Sequence, residues 1–173
     1  MANLILFALL LAWLFACMIY DLRFREVPAK LTIFPLIIAG LYALWRGWWV
    51  PPLLAAGLIL ISDLEPRERR YAFAGLVSAF SAIFEPATAL TVAILATIWV
   101  LWEIRAMGGA DAKLLMVIAL LLPQPVVFLW IALAGGVQGL LAFGMRKKEV
   151  PYIVAIFAGT LLFSLQSVLH QIS

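Results

Sequence analysis

The sequence predicts an all-α polytopic membrane protein, a helical bundle of about eight transmembrane helices, with six as the alternative. Three observations predict this class: 66% of the 173 residues are hydrophobic, only 12% are charged, and the mean hydropathy is +1.13. A soluble domain is roughly half apolar and a quarter charged, so one water-soluble core cannot bury this much apolar surface. In lipid only helices and closed barrels satisfy their own backbone, and the alternating pattern of barrel strands is absent.

Eight apolar runs follow one another along the chain, separated by breaks that carry charge or proline. They cover residues 3–20, 31–45, 50–62, 71–84, 86–102, 114–122, 126–145 and 152–169. The first run lacks the basic segment of a signal peptide, which predicts a retained membrane helix. The third, fourth and sixth runs are shorter than the roughly 20 residues of a span, so they are tilted, partly re-entrant or extended by flanking residues. No length remains for a separate soluble domain, so residues 1–173 are predicted to form one integral membrane domain.

Basic residues gather in alternate breaks. If all eight runs cross, the first, third, fifth and seventh breaks lie on one side of the membrane and hold eleven of the twelve Lys and Arg residues. Lys and Arg mark the cytoplasmic side. This pattern predicts a multi-pass protein of the cell membrane with that face in the cytoplasm and both termini outside. The net charge of +3 does not indicate a nucleic-acid-binding protein. The expected partner of the apolar helices is the lipid bilayer.

Two acidic residues stand out because they lie at predicted cytoplasmic helix ends. Asp21 directly follows the first run, and Asp111 comes just before the sixth, after the pair Gly108-Gly109. An even number of crossings separates the two acids in both topologies, so they can meet. A solvated helix-end carboxylate, or one favoured by a helix dipole, also explains an acid at Asp111. It does not explain two glycines, which break the helix pattern and allow close backbone approach.

Two adjacent carboxyl groups form a known catalytic arrangement. Within hydrogen-bond reach they resist double ionisation and share one proton. The ionised group can then draw a proton from water while the protonated group donates to a carbonyl oxygen, as in aspartic proteases. This chemistry needs no metal and no cofactor, which suits a chain with one Cys and one His.

Around these acids the sequence resembles the type IV prepilin peptidases and archaeal preflagellin peptidases, membrane aspartic proteases of the GxGD type. The resemblance rests on Asp21, Arg23, Val27-Pro28 and Gly108-Gly109-Ala110-Asp111-Ala112-Lys113-Leu114. It implies that Asp21 and Asp111 are catalytic and that residues 1–173 form a single peptidase domain. The implied active-site support comes from Gly108, Gly109, Ala110 and Lys113. The implied partners are type IV pilin-like or archaellin precursors, whose short basic leader is cleaved at the cytoplasmic face.

Three features depart from the family pattern, two at single positions and one in the cysteine content. Ala29 stands where the family usually has Asn, and Ala110 replaces the second glycine of the bacterial motif, so the archaeal form is the closer match. Bacterial bifunctional members add paired CxxC motifs and a methyltransferase activity. Cys17 alone cannot build such a zinc site, so the resemblance implies a peptidase without the methyltransferase.

Other charged residues near this face have simpler interpretations. Two explanations suit Lys113 equally well. It is either a lysine that marks the cytoplasmic end of a helix, or a residue that keeps Asp111 ionised or contacts the substrate. Solvated salt bridges, which contribute little stability, are the expectation for a group of four acids: Asp63, Glu65, Glu68 and Glu103. Glu65 and Glu68 also suit attraction of a basic leader.

The alternative function is a small membrane transporter or scaffold without peptidase activity. A transporter of this size requires polar groups, or interrupted helices, near the middle of the bilayer. The polar residues of this chain gather instead at one predicted face, which favours an enzyme at the membrane surface.

Overall fold

The structure is a computed structural model that describes residues 2–62, 65, 67–145 and 151–172. Over these residues the chain folds into eight α-helices and a 3₁₀ turn, Pro86–Thr88, and contains no strand. The helices are α1 Ala2–Phe24, α2 Ala29–Trp45, α3 Val50–Ile61, α4 Arg67–Phe84, α5 Ala89–Glu103, α6 Gly109–Leu121, α7 Pro125–Gly144 and α8 Tyr152–Ile172. The predicted all-α class is therefore confirmed, with one helix for each apolar run.

Four segments in the described part of the chain are long and apolar enough to cross a membrane. They are Leu4–Phe24, Pro86–Glu103, Pro125–Gly144 and Tyr152–His170. Two further apolar helices, Ala29–Trp45 and Val50–Ile61, are shorter. A helical multi-pass membrane protein is confirmed, while the choice between eight and six crossings stays a prediction.

Proline and glycine set several helix boundaries. Pro51 and Pro52 lie in the first turn of α3 and Pro125 begins α7, positions where a missing N–H costs no helix hydrogen bond. Gly47 ends α2 with a positive φ of 84°. The Gly47 N–H donates to the carbonyl of Leu44 and the Trp48 N–H donates to that of Ala43, which closes the helix as a Schellman motif.

The chain divides into two compact units. The first contains Met1–Pro28 and Val126–Ser173, and the second contains Ala29–Pro125. In the first unit α1 packs against α8. Gly159 of α8 lies so close to α7 that a Cβ there would overlap the backbone of Ile131, a small-residue contact typical of membrane helices. The single domain expected over residues 1–173 stays a prediction.

One stripe of α1 carries the packing of this helix. Phe7, Leu10, Leu14 and Cys17 are all buried and follow one another at spacings of three and four residues, which places them on one side of a helix. Phe7 meets Phe163 of α8 edge to face, with ring centroids 6.2 Å apart. The first unit is thus built on a helix that is packed along one stripe and apolar elsewhere.

Helix α6 is the centre of the second unit. It contacts α2, α3 and α5, and every side chain from Leu114 to Leu120 is buried. A helix that is apolar on all sides belongs in a core rather than at a surface. The first turn of α6 is consequently fixed in position by three neighbouring helices.

Candidate active site

Asp21 lies in the last turn of α1, so it is at a helix end as the sequence predicted. The apolar run ends at Tyr20, but backbone hydrogen bonding continues through polar residues to Phe24. The helix is closed by Arg25, whose backbone adopts the left-handed region with φ 58°. Its N–H donates to the Asp21 carbonyl oxygen at 2.9 Å, a closure that usually uses glycine.

The position of Asp21 continues the buried stripe of α1. It follows the fully buried Cys17 by four residues and therefore lies on the same side of the helix. Asp21 is half-buried, whereas the five residues after it are exposed. The helix thus directs this carboxyl group toward its packed side rather than toward lipid.

Asp111 lies inside the first turn of α6, at a helix end as predicted, although the apolar run of the sequence begins only at residue 114. The helix begins at Gly109 with Gly108 as its N-cap residue, and the Ala112 N–H donates to the Gly108 carbonyl at 3.0 Å. The hydropathy pattern misses this turn because the charged residues Asp111 and Lys113 interrupt the run of apolar residues. A carboxylate in the first turn is stabilised by the helix dipole, typically by about 0.3–1 kcal/mol.

The two glycines are in close contact with different partners. A Cβ on Gly108 would lie 3.3 Å from Oδ2 of Asp111, and a Cβ on Gly109 would lie 3.2 Å from Nε1 of Trp102. Both distances are tighter than ordinary side-chain contacts. Gly108 therefore leaves room for the carboxylate, and Gly109 lets the start of α6 approach α5.

Lys113 contacts the same tryptophan as Gly109. Its Nζ lies 5.9 Å from the centroid of the Trp102 ring, within cation–π range. Gly109 and Lys113 are one helical turn apart, so Trp102 lies close to the start of α6 at two points. Ala110 is half-buried between the two glycine contacts and the acid.

A cleft of about 970 Å³ opens in the second unit beside the start of α6. Its walls come from the end of α3, the start of α4, the end of α5 and the first turn of α6. Its charged lining residues are Arg70, Glu103, Arg105 and Lys113. The cleft therefore brings ionic side chains from three helices to one end of the unit.

The ion pair in this cleft differs from the solvated salt bridge expected for Glu103. Nη1 of Arg70 donates to Oε2 of Glu103 at 3.2 Å, and the two side chains are only 21% and 9% exposed. The reason is that α4 packs against α5, which covers both side chains. Glu65 and Glu68 are exposed, as expected, and Asp63 lies outside the described residues.

A second polar contact joins α3 to α5 near the cleft. Nε1 of Trp99 donates to the Ser62 hydroxyl oxygen at 2.9 Å, and that hydroxyl donates to the Leu58 carbonyl. The Ser62 hydroxyl group therefore links the end of α3 to α5.

Trp102 and the Arg70–Glu103 pair are the neighbours of the candidate site that the sequence did not indicate. Trp102 ends the fifth apolar run, seven residues before Gly109, but their contact spans the turn at 104–108. Arg70 and Glu103 are 33 residues apart. Local spacing carries no signal for such pairs.

Fold and sequence motif together define a multi-pass helical membrane protein with an acid at the start of its central buried helix. The model of the type IV leader peptidase family matches residues 8–144, most of the chain and both acids. The chain belongs to this family, and the predicted resemblance to prepilin and preflagellin peptidases is confirmed. It is accordingly a prepilin-type membrane peptidase. No curated protein and no solved structure matches the chain.

The structure places the predicted site residues in both units. Gly108, Gly109, Ala110, Asp111 and Lys113 lie together in the cap and first turn of α6, in the second unit. Asp21 belongs to the first unit. The meeting of Asp21 with Asp111 stays a prediction.

Proposed function

We propose that the protein is an aspartic endopeptidase that removes the short basic leader of type IV pilin-like or archaellin precursors. Asp21 and Asp111 are its catalytic pair, at the cytoplasmic face of the cell membrane, and it carries no methyltransferase activity. The observation that supports this proposal is that both acids are half-buried in helix-terminal turns within the segment matched by the peptidase family.

The proposed reaction is a hydrolysis by paired carboxyl groups. The ionised group removes a proton from water, whose oxygen attacks the carbonyl carbon of the scissile bond while the protonated group donates to the carbonyl oxygen. The tetrahedral intermediate then collapses: the C–N bond breaks, and the leaving amine takes a proton from a carboxyl group. The products are a leader with a new carboxylate and a mature chain with a new amino terminus.

The two helix ends give the acids different roles in this proposal. The amino terminus of a helix has a partial positive charge, which favours negative charge at Asp111 in the first turn of α6. Asp21 lies near the opposite, negative pole of α1. Asp111 is therefore proposed as the base that activates water and Asp21 as the acid that protonates the carbonyl oxygen.

The proposed substrate geometry follows from the same helix ends. A precursor with a basic segment in water and an apolar helix in lipid presents the bond between them at the membrane surface. Asp21, in the last turn of the apolar helix α1, is proposed to lie at the same depth. The exposed Glu65 and Glu68 are proposed to attract the basic leader.

Co-expression with a pilin-like precursor tests the catalytic pair. The variants are Asp21→Asn and Asp111→Asn, with Glu26→Gln as the matched control because Glu26 is an exposed acid five residues from Asp21. We expect full-length precursor with each Asp variant and mature product with the wild type and Glu26→Gln, measured by gel mobility and mass spectrometry. Processing that survives either Asp change, in a protein that purifies as the wild type does, would overturn the pair.

A further inference from the structure

The cleft of the second unit has a positive balance of charge. Three basic residues line it, Arg70, Arg105 and Lys113, against one acid, Glu103. Glu103 is already joined to Arg70. Within the described residues, neither Arg105 nor Lys113 forms an ion pair. Two positive charges of the cleft therefore have no carboxylate partner in the part of the chain that the structure describes.

Lys113 is held in position over the cleft by an aromatic ring. Its ammonium group lies 5.9 Å from the centroid of the Trp102 ring, which is also close to Gly109. A cation–π contact orients the ammonium group without neutralising it. The lysine can therefore donate hydrogen bonds to an anion in the cleft.

Arg105 is presented by a helix closure that normally uses glycine. Its φ of 61° is left-handed. Its N–H donates to the Trp102 carbonyl at 3.0 Å, and the N–H of Ala106 donates to the Leu101 carbonyl at 2.9 Å, a Schellman motif. The backbone of this exposed arginine is thus fixed while its guanidinium group remains open to a ligand.

The surroundings of these cations identify the class of ligand. The lining also includes the apolar side chains of Ile59, Ile104 and Met107, and the cleft lies where helices end. Basic pockets between membrane helices suit lipid head groups, and the volume of the cleft is that of a small-molecule site. A basic leader peptide is repelled here, because Arg105 and Lys113, which form no ion pair within the described residues, carry charge of its own sign.

We propose that this cleft binds the phosphate of an anionic phospholipid head group, through Arg105 and Lys113, with the acyl chains leaving along the apolar side. The bound phosphate joins the end of α5 to the first turn of α6, which carries Asp111. The site shares Gly109 and Lys113 with the implied active-site support, but lipid binding does not require the peptidase reaction and stands if that proposal fails.

Binding to the purified full-length protein tests the site. Native mass spectrometry in detergent micelles counts bound lipid at increasing phosphatidylglycerol, with phosphatidylcholine as the zwitterionic comparison. We expect saturable binding of one phosphatidylglycerol molecule. Binding of phosphatidylcholine should be weaker and should not reach saturation. Arg105→Gly keeps the left-handed backbone and removes the charge, so we expect about a tenfold weaker affinity, the effect of one charge-assisted contact. Arg105→Lys should retain most of the binding.

Arg25→Gly is the matched control, because Arg25 also closes a helix with a positive φ but does not line the cleft. Its phosphatidylglycerol affinity should equal that of the wild type. Equal loss in Arg25→Gly and Arg105→Gly, or equal binding of both lipids, would overturn the site. Glycerol 3-phosphate and inorganic phosphate are tested in the same way as water-soluble ligands. Arg105-dependent binding of either one without binding of phosphatidylglycerol would overturn the lipid assignment.

Discussion

The two units of this protein differ in how they hold an acidic residue. In the first, Asp21 ends a 23-residue helix that is packed along one stripe and apolar elsewhere. In the second, Asp111 begins a 13-residue helix that is buried on all sides. The first acid therefore depends on one packed face, whereas the second is fixed by three neighbouring helices. Rigid support is concentrated around Asp111, where the proposed base must be aligned with water.

The largest expected effect separates the two kinds of helix. Ile118→Ala creates a cavity in the fully buried α6 and should lower the free energy of unfolding by about 3 kcal/mol. Ile19 on α1 is 45% exposed. Ile19→Ala should lower the free energy of unfolding by less than about 1 kcal/mol, because lipid or detergent fills the space. Unfolding of the detergent-solubilised protein by titrated denaturant measures both. Equal losses would contradict the difference between the helices.

A medium effect is expected from the ion pair that joins α4 to α5 in the second unit. Glu103→Gln removes the carboxylate from a largely covered ion pair with Arg70 and should cost about 2 kcal/mol of unfolding free energy. Glu68→Gln, an exposed acid on α4, should change stability by less than about 0.5 kcal/mol. The paired change Arg70→Met with Glu103→Leu should recover most of the loss. A loss that persists in this double variant would show that the pair itself is not responsible.

The smallest effect on stability, but a clear one on activity, is expected at Gly109. A Cβ there lies 3.2 Å from Trp102 and shifts the first turn of α6. Gly109→Ala should lower the rate of precursor processing by about tenfold through misplacement of Asp111, while unfolding free energy changes by about 1 kcal/mol or less. Initial rates of precursor processing measure the effect on activity, and denaturant titration measures the effect on stability.

Two further variants sharpen the Gly109 prediction. Trp102→Leu added to Gly109→Ala removes the ring that meets the new methyl group and should restore part of the rate. Gly57→Ala is the control, because a Cβ at Gly57 meets nothing within 4 Å. A normal rate in Gly109→Ala would show that the contact with Trp102 does not position the acid.

Hydropathy predicted the helices well because lipid requires every backbone group to bond within its own segment. The apolar runs fell short of both acids, because they stop at residue 20 and begin at residue 114, whereas the helices extend to Phe24 and begin at Gly109. Asp21 and Asp111 are polar residues inside helical turns, and a hydropathy run stops at polar letters while backbone hydrogen bonds continue. The sequence therefore predicted two acids at helix ends, but not the exact turns that contain them.

The contacts around the site could not be predicted from local pattern. Trp102 against Gly109, and Arg70 against Glu103, depend on how α4, α5 and α6 pack. The sequence indicated that a glycine pair permits close approach, without indicating what approaches. Likewise, the charge of Glu103 suggested a salt bridge but not that α4 and α5 would cover it.

The shortness of α6 has a consequence for the surrounding membrane. Its 13 residues extend about 20 Å, against a hydrocarbon thickness of about 30 Å. Neighbouring α3 has only 12 residues. In the predicted eight-crossing topology, helices this short would be matched by local thinning of the bilayer around the second unit. Such thinning would bring lipid head groups and water closer to the proposed base Asp111.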